Sequence, residues 1–151
     1  MKHVINGLGI VLLLLSFSLK AGNVSEHFVN KAIIGTHDFT LQWLDNSRVG
    51  NRGKIEFSRL GDGIVAKGYQ EERVDNELNF MKFSGNVVVI SQRELRITGD
   101  LVTRIHHING GEVLYRTGTF VFKAHGKRQY WRLQNHRKHE VIDYVDIHFI
   151  K

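Results

Sequence analysis

The sequence predicts an all-β protein, with about eight antiparallel strands closed into an up-and-down barrel behind one short N-terminal helix. Three observations carry that prediction. From Thr36 onward apolar residues recur with period two, the spacing of a half-buried strand. Short connections such as Gly61-Asp62-Gly63 join the runs, which makes neighbouring strands antiparallel. A weak repeat places one glycine inside each long central run, where it bends a strand and helps a sheet curl into a barrel.

The chain opens with a segment that reads as an address rather than as structure. Lys2 precedes an apolar run, 8–15, and Lys20-Ala21-Gly22 offers a small-residue cut, the pattern of a secretory signal peptide cleaved near Ala21-Gly22. Even extended to Leu19 the run is about a dozen residues, short of the ~20 that span a bilayer. Residues 1–21 are therefore expected to be removed. That leaves 22–151 as a single domain, long enough to bury a core. The sequence holds no cysteine, so neither a disulfide nor a lipobox is available, and the mature chain is expected to carry no lipid or transmembrane anchor. An exported, cysteine-free protein suits the bacterial periplasm or external medium better than the disulfide-rich eukaryotic exterior.

Phe28, Val29, Ala32 and Ile33 fall at helical spacing behind Ser25, a residue suited to capping, which predicts one short helix over 26–34. Strands follow at 37–45, where Phe39, Leu41 and Trp43 alternate with polar residues, and at 53–60, where Ile55 and Phe57 do the same. Gly61-Asp62-Gly63 turns the chain into a strand over 63–70. The repeat comes next. Lys82-Phe83-Ser84-Gly85-Asn86-Val87-Val88 aligns with Arg96-Ile97-Thr98-Gly99-Asp100-Leu101-Val102 and with Tyr115-Arg116-Thr117-Gly118-Thr119-Phe120-Val121. Its copies are one strand plus one turn apart, which predicts successive strands at 77–90, 94–108 and 112–124 with turns at Asn109-Gly110-Gly111 and His125-Gly126. Strands at 127–135 and 141–150 complete the set. The alternative is a two-sheet sandwich, with each long strand broken at its glycine.

A short helix ahead of a tryptophan-bearing first strand, 35–43, and the strand number together resemble the lipocalin and calycin group of small exported barrels. The resemblance is one of architecture. The group's Gly-x-Trp signature is absent, since Thr36 and His37 follow Gly35 and tryptophan arrives only at Trp43. What the resemblance implies is a barrel able to hold a small apolar or amphipathic ligand.

The formal charge is +6, and loss of Lys2 and Lys20 with the leader lowers it to +4, a mildly basic surface that favours acidic partners. No constellation names a reaction. There is no cysteine nucleophile, no Gly-x-Ser-x-Gly elbow and no phosphate-binding glycine loop, so the reading leans away from an enzyme and expects no cofactor. Histidines are frequent but poorly spaced for a metal. His106 and His107 are strand neighbours and point to opposite faces, while His136 and His139 share their loop with cations. Asp146 with His148 is the best pair, and it lacks a third ligand.

Two candidate sites remain. Inward-facing polar positions among large apolar ones define the first: Trp43, Phe57, His107, Arg116, Phe120, Trp131 and Asp143 would line a barrel interior, with Arg116 and Asp143 pairing to satisfy each other's charge. The second is the basic-aromatic patch 123–139, in which Lys127, Arg128, Tyr130, Arg132, Arg137 and Lys138 could hold an acidic envelope component. Nucleic acid is not expected. A membrane-spanning barrel fits poorly, because Arg104 with His106, and Arg128 with Arg132, would face lipid. The expected role is a non-enzymatic exported binder of a small apolar or amphipathic ligand or of an envelope component, with an interaction module for polyanions as the alternative.

Overall fold

The computed structural model describes residues 24–135, 137–138 and 141–151, the side chains of 137, 138 and 141 excepted. The expected leader lies outside the described residues. Ser25 caps α1, Glu26–Phe28, its hydroxyl accepting from the Phe28 amide at 3.2 Å. The helix then widens into a π turn, Val29–Ile33, closed by the Ile34 amide on the Val29 carbonyl at 3.0 Å. Val29 and Ile33 are buried, so this segment packs its apolar side onto the strands that follow.

Those strands are β1 Gly35–Leu41, β2 Gly53–Leu60, β3 Gly63–Val74, β4 Glu77–Ser91, β5 Glu94–Arg104, β6 Leu114–Lys123, β7 Tyr130–Leu133, β8 Arg137–Lys138, β9 Val141–Ile142 and β10 Val145–His148. Eight of them form a closed antiparallel ring in the order β1-β10-β7-β6-β5-β4-β3-β2, and β8 and β9 make a separate two-stranded sheet. The barrel fits the lipocalin-like architecture, and ring closure between β1 and β10, with Phe39 opposite Ile147, excludes the sandwich. Closure also leaves the ring without a free edge.

Several expected strands change length. The third runs four residues further, to Val74, and turns at Asp75 and Asn76, both in the left-handed region. The fifth stops at Arg104 rather than 108, because the chain tightens into a turn in which the Ile108 amide donates to the Ile105 carbonyl. The last two expected strands are shorter, four residues each, since the connection between them folds back on itself as β8 and β9.

The glycines of the repeat lie side by side. Gly85 is opposite Gly99, and Gly99 is opposite Gly118. A glycine row at this point lets three long strands bend together.

Inside the ring, Phe39, Leu41, Ile55, Phe57, Met81, Phe83, Leu95, Ile97, Leu101, Phe120, Phe122, Trp131, Leu133, Val145 and Ile147 are all at most 2% exposed. Their rings interlock. Phe83 meets Phe120 edge-on at 5.2 Å and Phe122 at 5.8 Å, and lies 6.2 Å from Phe39. One end of the barrel carries the helical segment and the β2–β3, β4–β5 and β6–β7 turns. The other carries the longer β1–β2, β5–β6 and β7–β10 connections. Among the described residues no helix is long and apolar enough to cross a membrane.

Candidate functional site

The residues expected to line an interior cavity separate into two groups. Phe57, Phe120 and Trp131 are core, each no more than 2% exposed. Trp131 packs against Phe149 at 4.3 Å and donates its indole N–H to the Gln92 carbonyl at 3.2 Å. Trp43, Arg116 and Asp143 gather instead at the end with the long connections. There the Trp43 indole donates to the buried Asp143 carboxylate at 3.1 Å, and Arg116 donates to the Asn135 carbonyl and lies 5.4 Å from the Phe120 ring centre. Burial pulls the Arg116 pKa below its ordinary value, with the nearby Asp143 charge acting against that shift. The expected Arg116–Asp143 relation is therefore one of field rather than of a direct bond, with Trp43 as a partner of the aspartate.

His107 does not face inward. The turn after Arg104 takes it out of the strand alternation, leaving it exposed with its ring against His106 at 4.8 Å. Thr103, on the same strand, is buried. Sequence reasoning missed Gln70 and Asn79, both at most 2% exposed. Gln70 accepts from the Leu41 amide at 2.9 Å and donates to Asn46 at 2.7 Å, while Asn79 accepts from the His106 amide at 2.8 Å. They fasten the long connections to the barrel wall. A period-two reading of 63–74 continued past residue 70 places Gln70 inward, but nothing local names its partners.

Two cations of the patch 123–139, Lys123 and Arg132, are paired with carboxylates of other strands. Arg132 holds Asp146 through two bonds of 2.7 Å, which raise its pKa, and stacks over Tyr144 and Tyr130 at 4.7 and 5.2 Å. Lys123 and Arg96 both pair with Glu94. Lys127 and Arg128 project from an exposed turn whose carbonyls, at Gly126 and Arg128, accept from Arg93. Arg137 and Lys138 form β8, and only their backbone is described.

The Asp146 and His148 pair is divided between other partners. Asp146 serves Arg132, while His148 is hydrogen-bonded to Thr40 at 3.0 Å and lines a 560 Å³ concavity with Asp38, Arg52 and Tyr130. Burial, then the Arg52 charge, lowers the His148 pKa. His37, 2% exposed, sets its two ring nitrogens 2.7 and 2.8 Å from the carbonyls of His148 and Ile33, tying β10 and the helical segment to β1.

Two further concavities lie on the outside of the barrel. One, of about 720 Å³, is lined by Thr36, Lys54, Glu56, Lys67, Gly68, Tyr69, Lys82, Phe83 and Ser84. The other, of about 370 Å³, is lined by Lys82, Ser84, Asp100, Val102, Tyr115, Arg116 and Thr117. They share Lys82 and Ser84 and so adjoin across those two side chains.

A family model described as the PM1083 family matches residues 21–149 of this chain. The chain is similar to the "Uncharacterized protein PM1083" of Pasteurella multocida (strain Pm70), with 38% identity over 123 residues that cover 80% of this chain and 76% of that protein. No solved structure matches.

Proposed function

The chain belongs to the PM1083 family, and for it we propose the role of an exported, non-enzymatic binding protein that holds an acidic component of the cell envelope against the outside of its barrel. The observation that carries this reading is the filled interior. A small apolar ligand of the kind lipocalin-like barrels hold would have to displace Phe83, Phe120 and Trp131, whose packing leaves them at most 2% exposed. The mildly basic composition supports an acidic partner, and the family match beginning at residue 21 supports reading 1–21 as a removable leader and 22–151 as one domain. Periplasm or external medium is the place such a chain would work.

The test uses the mature protein with a labelled anionic polysaccharide, with vesicles containing phosphatidylglycerol, and with a hydrophobic fluorescent probe. Saturable binding to an anionic probe that weakens as salt rises, with no uptake of the hydrophobic probe by the folded protein, is the expected result. Uptake of the hydrophobic probe without anion binding would overturn it.

A further inference from the structure

We propose that the outer face of β2–β6 is a platform for an acidic polysaccharide chain, whose sugar rings stack on Tyr69 and Tyr115 and whose acid groups meet Lys67 and Lys82. This deepens the proposed function and rests on it. Strand register builds the platform. Asp38 is opposite Lys54, Lys54 opposite Tyr69, Tyr69 opposite Lys82, Lys82 opposite Val102 and Val102 opposite Tyr115. That is one row of outward side chains crossing six strands. Beside it runs a second row, Glu56, Lys67, Ser84, Asp100 and Thr117, paired in the same way and adjoining the glycine row Gly85, Gly99 and Gly118. The two rows line the two adjoining outer concavities.

Its chemistry selects the ligand. Tyr69 and Tyr115 are 43% and 67% exposed, more than a tyrosine that serves packing needs to be. A tyrosine ring offers a rigid amphipathic surface at low entropic cost. Lys54 is engaged by Asp38, but Lys67 and Lys82 are exposed and make no ion pair among the described residues. The floor also holds Glu56 and Asp100, the latter accepting from Thr117 at 2.6 Å. A polymer with a charge on every closely spaced unit, such as a nucleic acid strand, would meet those carboxylates as well as the lysines. A glycan whose acid groups alternate with hydroxyl-rich stretches can place hydroxyls on Glu56, Asp100, Ser84 and Thr117 and acids on the lysines. Tyr69 and Tyr115 stand three strand steps apart, about 14 Å, so the ligand is a chain rather than one sugar. The rows line local concavities, which suit a strand of sugars better than a flat bilayer.

The experiment measures binding of a labelled hyaluronan oligomer, whose carboxylates fall on every second sugar, to the mature protein, with neutral dextran and phosphatidylglycerol vesicles alongside. Three variants are compared: Lys67→Glu with Lys82→Glu, Tyr115→Ala, and Lys127→Glu with Arg128→Glu. All change exposed positions, and an unchanged melting temperature shows that each is folded. The proposal expects the oligomer to bind, the first variant to weaken binding about tenfold or more, Tyr115→Ala to weaken it several-fold, and the third to leave it unchanged. Loss in the third variant with the first unaffected overturns this platform and leaves the proposed function standing. Binding to vesicles without the oligomer overturns the glycan and again leaves that function. Binding to neither overturns both.

Discussion

Gly99 faces Gly85 across the β4–β5 ladder where neither has room for a side chain. A Cβ on Gly99 would lie 2.0 Å from the Ser84 carbonyl oxygen, and one on Gly85 would lie 2.6 Å from that of Thr98. Backbone cannot give way as a side-chain tip can. Gly99→Ala should therefore cost about 1–3 kcal/mol in urea unfolding, as overpacking does. Gly50→Ala, with nothing within 4 Å of the added carbon, should stay within about 0.5 kcal/mol.

The Arg132–Asp146 fork joins β7 to β10 with side chains 26% and 12% exposed. Charge-assisted bonds in that setting are only partly screened. Arg132→Ala should destabilise by about 1–3 kcal/mol. Arg132→Lys should recover little, because an ammonium cannot reproduce the planar fork. A double-mutant cycle with Asp146→Ala measures the coupling.

His148 predicts a pH dependence with a definite sign. Burial, then the Arg52 charge, hold its folded-state pKa below the ordinary 6.5, with Arg132 acting the same way and Asp146 and Asp38 opposing. As pH falls through 6.5 the unfolded chain takes up this proton before the folded one does, so stability declines until the folded pKa is passed. Above 6.5 the residue contributes no slope. Urea unfolding of wild type and His148→Gln across that range should show a smaller acid-side loss in the variant.

Trp131→Ala should cost about 3–5 kcal/mol, because a side chain 2% exposed and packed on Phe149 and His37 leaves a cavity behind. If the variant folds, a hydrophobic probe excluded by wild type should enter it. Phe120→Ala, further along the interior, provides a second opening.

Sequence periodicity revealed the barrel because its strands are amphipathic one by one. Ile55 and Phe57 are inward and Lys54 and Glu56 outward whether or not the neighbours are known. The repeat also revealed the glycine row, since its copies bring Gly85, Gly99 and Gly118 side by side in the ladder. Strand ends were less legible. Ile105 continues the inward alternation and is buried, yet a turn held by backbone bonds starts there and carries His107 outward. The outer platform was not legible, because Lys54, Tyr69, Lys82 and Tyr115 are far apart in the chain and only inter-strand register aligns them. The patch at 123–139 looked stronger in sequence because its cations are contiguous, while Asp146 and Glu94, which pair with Arg132 and Lys123, come from other strands.

Closure between β1 and β10 also sets an order of events during synthesis. Each strand from β2 to β6 pairs with the one just before it, so most of the wall can zip up as the chain emerges. β1 has to wait. One of its edges is taken by β2, but the other meets its partner only when β10 arrives at the far end of the chain. Until then the growing protein is an open sheet with unpaired amides. Anything that grips the last strand keeps the whole ring from sealing, which gives a chaperone a single handle on the folding of this barrel.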